Sequence, residues 1–176
     1  MQPGELKRFE TIMLPHLDAA YTLARHLTRD PTDAQDVVQD AYLRALKYFD
    51  GFHGTDVAEG RGWLLAIVRN TAYSWHRRRQ PEANVTHFDE ELHSEAVVDS
   101  HPETAMLGRD RRKALAREID RLAPEYRETI VLREIQGFSY KEIADITGVP
   151  VGTVMSRLSR ARHRLQEALH AERYEE

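Results

Sequence analysis

Apolar residues recur every three or four positions along most of the chain, a period that predicts helices rather than strands. Phe9, Met13, Leu17, Ala20, Ala24 and Leu27 share one face of a helix that Asp30-Pro31 ends. Thr32-x-x-Gln35 has the form of a capping box and opens a second helix, with Val38, Ala41, Tyr42, Ala45 and Phe49 facing inward. Gly51, Gly54, Gly60 and Gly62 mark a loop of roughly ten residues. A third helix is expected from Trp63 onward, with Leu64, Ile67, Val68, Thr71, Ala72 and Trp75 at helical spacing, and it runs into Arg77-Arg78-Arg79. Further on, Leu115, Ile119 and Leu122 form one short helix. Pro124 suits the first turn of the next, which carries Tyr126, Ile130 and Val131 and stops near Gly137. No strand-like alternation and no internal repeat stands out, so the pattern predicts an all-α protein.

Residues 81–110 break the pattern. They hold Pro81 and Pro102, lack a sustained apolar period, and read as a linker between two small helical domains, residues 1–80 and 111–176. Charge sharpens this division. The whole chain carries −4, but residues 1–80 contribute +1, residues 111–176 contribute +2 and residues 81–110 contribute −7. The acidity therefore sits in the linker, and local clusters decide what each domain attracts. Two stretches are purely basic: Arg69 to Arg79, with Arg69, Arg77, Arg78 and Arg79, and Val151 to Arg164, with Arg157, Arg160, Arg162 and Arg164. One is purely acidic, Asp30 to Asp40, with Asp30, Asp33, Asp36 and Asp40.

The stretch FSYKEIADITGVPVGTVMSRLSRARHRL has the internal logic of a helix-turn-helix. Ser139-x-x-Glu142 is a capping box. Ala144 is small where two helices must cross closely, and Gly148 follows four residues later, where the turn favours glycine. Val149 and Val154 plug the angle between the helices, and the apolar face continues through Leu158, Ala161, Leu165 and Leu169. That leaves Met155, Ser156, Ser159, Arg160 and His163 on the opposite face, with Arg157 and Arg164 alongside. Small polar groups beside arginines, with no acidic residue from Val151 to Arg164, suit the DNA major groove. A plain helical hairpin with a solvated basic face does not account for the joint spacing of Ala144, Gly148 and Val154.

Leu122-Ala-Pro-Glu-Tyr-Arg-Glu-Thr-Ile-Val-Leu-Arg, Gly137-Phe-Ser-Tyr-Lys-Glu-Ile-Ala and Gly148-Val-Pro-Val-Gly-Thr-Val-Met-Ser-Arg-Leu-Ser-Arg-Ala-Arg together resemble region 4 of bacterial sigma-70-type factors, most of all the extracytoplasmic-function (ECF) branch. Asp33-Ala-Gln-Asp-Val-Val-Gln-Asp-Ala-Tyr-Leu-Arg-Ala resembles region 2.2 of the same family, and Gly62-Trp-Leu-Leu-Ala-Ile-Val-Arg-Asn-Thr-Ala resembles regions 2.3–2.4. Two halves that resemble one family in the right order are more specific than either alone.

The resemblance implies a promoter-specificity factor for core RNA polymerase. It places Asp36, Gln39, Asp40 and Leu43 on a face that grips the β′ clamp helices. From the residues alone, this acidic face with one apolar residue suits a basic, partly apolar groove, or is a solvated face that supports the helix N-terminus. The minus-10 element, captured as a single strand, is expected to meet Trp63, Arg69, Asn70, Tyr73, Ser74, Arg77, Arg78 and Arg79. Among these, Asn70 matches a position that reads a flipped base, and the arginines supply phosphate attraction. Trp63 and Trp75 lie near the apolar face, so core packing is favoured for them over base stacking. Ser74 stands where the family often has aspartate, and Tyr73 is uncommon at its position.

For the minus-35 element, read as duplex, the resemblance places Met155, Ser156, Ser159 and Arg160 nearest the bases. Arg157, Arg162 and Arg164 then lie toward phosphates or the polymerase β flap. Met155 and Ser159 replace larger or charged residues often found there. The linker falls where this branch lacks a larger middle domain; its charge fits mimicry of nucleic acid in a basic channel and fits a passive, soluble spacer equally well. Factors of this branch are usually held by an anti-sigma protein that covers regions 2 and 4, commonly in stress or envelope responses. With about a dozen residues after Leu165, fewer than a domain needs, the signal is expected from another protein.

Composition narrows the remaining classes. No apolar run approaches the ~20 residues of a membrane span, and the N-terminal stretch lacks the basic and apolar regions of a signal peptide, so a cytoplasmic protein is expected. The chain has no cysteine, hence no disulfide, thiolate metal site or thiol switch of its own. Catalytic motifs are not evident: there is no phosphate-binding glycine loop, H-E-x-x-H or nucleophile elbow. Neither a cofactor nor a metal is expected, and His87, His93 and His101 lack ligand spacing. A conventional helix-turn-helix regulator is the competing class, but it leaves the acidic face at Asp36–Leu43 and the basic helix at Arg69–Arg79 without a role.

Overall fold

The computed structural model describes residues 3–80 and 103–174. Most of the expected linker, with His87, His93 and His101, lies outside them. Every regular element among the described residues is helical. The first apolar stripe forms two helices rather than one, α1 (Pro3–Met13) and α2 (Leu17–Thr28), joined by a 3-10 turn at Leu14–His16. Pro15 lacks the N–H that a continuous helix would need, so the chain tightens there. The stripe survives the break because Met13 and Ala20 are both fully buried, while Leu17 is left about half exposed.

α2 ends on Arg29 in the left-handed conformation (φ 58°), and α3 (Pro31–Lys47) starts immediately. Its cap is Asp30, whose carboxylate accepts from the Asp33 N–H at 2.9 Å, and not the expected Thr32. Pro31 decides this: it fits only the first helical position, which leaves the residue before it as the cap. After a 3-10 turn at Phe49–Gly51, α4 (Val57–Arg79) begins six residues earlier than Trp63, capped by Asp56 on the Glu59 N–H. The glycine-marked loop is shorter accordingly. Gly60 lies inside α4, pressed on α1 so closely that a Cβ would collide with Ile12.

α5 (Glu103–Arg121) extends well beyond the expected short helix and begins inside the stretch read as linker. Leu115, expected on its apolar face, is partly exposed, whereas Ala114, Ile119 and Leu122 are buried. α6 (Pro124–Ile130) widens into a π turn at Val131–Ile135, marked by the Gln136 N–H bonding to the Val131 carbonyl at 2.9 Å. α7 (Tyr140–Thr147) and α8 (Val151–Tyr174) complete the fold.

Buried residues of both halves form one continuous core. Phe9, Leu23, Val37, Leu64 and Val68 from the first half join Ile130, Leu132, Ile143, Val154 and Leu158 from the second. α4 packs on α7, and α2 on α6. No helix among the described residues is long and apolar enough to cross a membrane.

Candidate nucleic-acid interface

The helix-turn-helix is built as its local chemistry demands. Ser139 Oγ accepts from the Glu142 N–H at 3.2 Å, and the Glu142 carboxylate accepts from the Ser139 N–H at 2.7 Å, so two otherwise orphaned donors are satisfied. α7 ends on Gly148 at φ +71°, a conformation that costs a side chain energy, and the Gly148 N–H bonds back to the Ala144 carbonyl at 2.9 Å. Val154 and Leu158 are buried beneath, and Val149 packs against the core between the helices. Met155, Ser156, Ser159, Arg160, His163 and Arg164 are consequently presented outward on α8. Tyr140, Met155, Ser159, Arg162, His163 and Gln166 border a shallow groove on this face.

The arginines of α8 divide into two groups. Arg160 is exposed, as the sequence pattern expects. Arg162 is held by Glu134, with its Nε 2.9 Å from the carboxylate, and this hydrogen bond raises the Arg162 pKa against the opposing effect of burial. Arg164 lies over the Tyr126 ring at 4.7 Å. Arg157 turns inward and comes to 4.0 Å from Glu128 of α6, a residue whose side chain is fully buried.

In the first half, the basic end of α4 meets the acidic face of α3. Arg79 donates to both carboxylate oxygens of Asp33, and Arg78 approaches Asp40 at 3.8 Å, where Arg44 is also bonded at 3.1 Å. Asp36, Gln39 and Leu43 are exposed, Leu43 by 63%, so an apolar side chain stands in water among polar neighbours. Asn70 and Arg77 are exposed, and Ser74 accepts from Arg77 at 3.3 Å. Trp63 is half-buried against Phe52 and Phe49, and Trp75 is half-buried beneath the Arg79 guanidinium. Both tryptophans pack against the core.

Arg69 departs from the expected outward position. Its Nε and Nη2 lie 2.7 and 3.1 Å from the two oxygens of Glu128, a bidentate pair, while its guanidinium covers the Tyr73 ring at 4.6 Å. Burial works against the Arg69 charge, but the hydrogen bond and charge of Glu128 outweigh it and hold the pKa above its ordinary value. The same burial, reinforced by Glu128, pushes the Tyr73 hydroxyl well up. Arg69 and Arg157 thus reach one carboxylate from the two halves of the chain.

Other contacts extend this seam, and none is evident from periodicity. Arg61 bonds to both the main chain and the side chain of Gln136, and the Gln136 amide donates to the Ala19 carbonyl at 3.1 Å. Arg127, buried, donates to the His26 and Leu122 carbonyls at 2.9 and 2.8 Å, and burial pushes its pKa down to about 10. The one signal in the sequence is Glu128 itself, three and four residues before Val131 and Leu132 and so on the same helix face, where a charge calls for a buried partner.

Two helical modules, the second carrying a helix-turn-helix, define a transcription factor of sigma architecture. The model for Sigma-70 region 2 matches residues 12–82, and that for Sigma-70, region 4 matches residues 112–165. The RNA polymerase sigma-H factor of Pseudomonas aeruginosa is 33% identical, with 96% of this chain and 90% of that one covered. The ECF RNA polymerase sigma-E factor of Escherichia coli K12 is 34% identical, with 92% and 86% covered. Among solved structures, the sigma factor RpoE of Bartonella quintana, in complex with the anti-sigma factor NepR, is similar with a TM-score of 0.67 at 32% identity, covering 89% of this chain and 93% of that one. CnrH in complex with the cytosolic domain of CnrY gives 0.63 at 28% identity, covering 93% and 88%. The chain belongs to the sigma-70 family and is an ECF-type sigma factor.

Proposed function

We propose that this chain binds core RNA polymerase and directs it to promoters with a minus-35 and a minus-10 element, and that an anti-sigma protein holds it inactive until a stress signal arrives. The chemistry of initiation belongs to the polymerase, and the chain acts in the cytoplasm without catalysis of its own. The observation that carries this reading is the outward face of α8, where a capped, glycine-turned helix pair presents Met155, Ser156, Ser159 and Arg160 to solvent. Arg160 forks onto a base edge of the minus-35 duplex, and Arg157, Arg162 and Arg164 serve phosphates or the β flap.

Asn70 reads a flipped minus-10 base with its amide. Arg77, Arg78 and Arg79 attract the strand, Arg69 being held inward by Glu128, and Tyr73 and Ser74 border it beside Trp63. Asp36, Gln39, Asp40 and Leu43 form the face for the β′ clamp helices, in which the exposed Leu43 supplies the apolar contact. The anti-sigma partner is supported by the similar RpoE, solved with NepR bound.

In vitro transcription tests the reading. Bacterial core polymerase, with and without the chain on a library of genomic promoters, should give chain-dependent start sites that share two spaced elements. Tight duplex binding by the chain alone, with no initiation, would instead identify a conventional regulator.

A further inference from the structure

Met155 stands 52% exposed on α8, the only apolar side chain among the exposed residues from Gly152 to Gln166. The core does not call for it, because Val154, Leu158 and Ala161 fill the buried side of the helix. We propose that Met155 reads a thymine of the minus-35 element by packing on its C5 methyl group, so that this chain selects an A·T pair where Met155 lies and a G·C pair where Arg160 lies. The inference rests on the promoter reading and names the base that one position of it accepts.

The surroundings of Met155 limit what it can touch. It borders the shallow groove with Tyr140, Ser159, Arg162, His163 and Gln166, and no carboxylate is among them. Two of these neighbours are held from within the chain: the Arg133 guanidinium covers the Tyr140 ring at 4.7 Å, and Glu134 binds Arg162. Basic neighbours draw the phosphate backbone, which carries no sequence information. Met155 adds no charge to that attraction. Its contribution is apolar contact alone.

Major-groove base edges present donors and acceptors, and on thymine alone a methyl group. An apolar side chain gains by covering that methyl. Over any other edge it strips water from polar groups without replacing the hydrogen bonds. The unbranched thioether of methionine adapts to the methyl without strain.

Ser156 supplies the matching half of the pair. Its hydroxyl donates to the Thr153 carbonyl at 3.0 Å, so its lone pairs are what remain for a base. In the major groove they can accept from adenine N6 or cytosine N4, and they find no donor on guanine or thymine. An A·T pair presents the adenine amino group and the thymine methyl together, which suits two adjacent residues. Arg160 lies five residues further on, ~7.5 Å along the helix axis. It therefore addresses a different base pair, where its fork suits guanine.

Uracil lacks only the methyl group of thymine, so a deoxyuridine scan tests the contact without altering the chain. Holoenzyme assembled from the chain and bacterial core polymerase is bound to a chain-dependent promoter in which each minus-35 thymine, on either strand, is replaced in turn. At one position the affinity should fall about threefold or more. Met155→Leu should keep that sensitivity, whereas Met155→Gln, its folding checked by circular dichroism, should bind the thymine and uracil promoters alike. A parent chain indifferent to every replacement, or a sensitivity that persists in Met155→Gln, would overturn the inference and leave the promoter reading standing. A chain that supports no initiation on any promoter would remove the promoter reading and the inference with it.

Discussion

One nitrogen of Arg79, in α4, lies 2.7 and 2.6 Å from the two carboxylate oxygens of Asp33, in α3. This pair ties the basic end of one helix to the acidic start of the other. Asp33 is mostly buried by the contact and Arg79 is not. The first half therefore carries its opposite charges on adjoining surfaces, with Asp40 and Arg78 next along the same edge.

Asp40→Arg places a cation beside Arg44 and Arg78 and removes an acid from the face proposed for the clamp helices. Affinity for core polymerase should fall by about tenfold or more. An unaltered dissociation constant for the purified variant would count against that face.

Arg160→Ala truncates an exposed guanidinium on α8 and leaves the buried Val154, Leu158 and Ala161 in place beneath. Discrimination at one position of the minus-35 element should weaken by about 1–3 kcal/mol. Run-off transcription on single-base promoter variants reads this directly, and unchanged promoter preference would remove the contact.

Asn70→Ala takes away an exposed amide with both donor and acceptor. Open-complex formation should suffer more than initial duplex binding, because the proposed target is a base outside the stack. Permanganate reactivity of minus-10 thymines, compared with gel-shift affinity, separates the two steps; equal losses in both would contradict the assignment.

Tyr42 donates to the Met13 carbonyl at 2.8 Å, and burial pushes its hydroxyl up to about 12. A tyrosine in the unfolded chain ionises near pH ~10, so between that value and about 12 the folded state holds the proton more tightly. The sign follows: this stabilisation is complete below about pH 10 and is lost as pH rises through about 12. Denaturation midpoints followed from about pH 9 upward should decline less steeply for Tyr42→Phe than for the parent chain. Parallel declines would show that Tyr42 does not govern the alkaline limb.

The helix-turn-helix is legible in the sequence because each of its requirements is local. Ser139 and Glu142 cap one another three residues apart, and Gly148 takes the one backbone conformation its neighbours resist. The interruption at Leu14–His16 is not legible in the same way, since Met13 and Ala20 stay on one buried stripe whether or not the helix pauses between them. The α3 cap is Asp30 rather than Thr32 because Pro31 takes the first helical position, a constraint that the capping-box spacing of Thr32 and Gln35 does not reveal. The inward turn of Arg69 is the hardest to foresee: its partner lies 59 residues away, and periodicity carries no information about which buried charge meets which.

The shared carboxylate also binds the inheritance of the two halves together. Replacing Arg69 alone, or Glu128 alone, strands a desolvated charge, a change that typically costs ~3–5 kcal/mol. Descendants of this chain should therefore alter Arg69, Glu128 and Arg157 in concert. A chimera that takes its first half from one family member and its second from another should fold well only when the pair across the junction is matched, which makes the module boundary less free to recombine than two family regions joined end to end suggest.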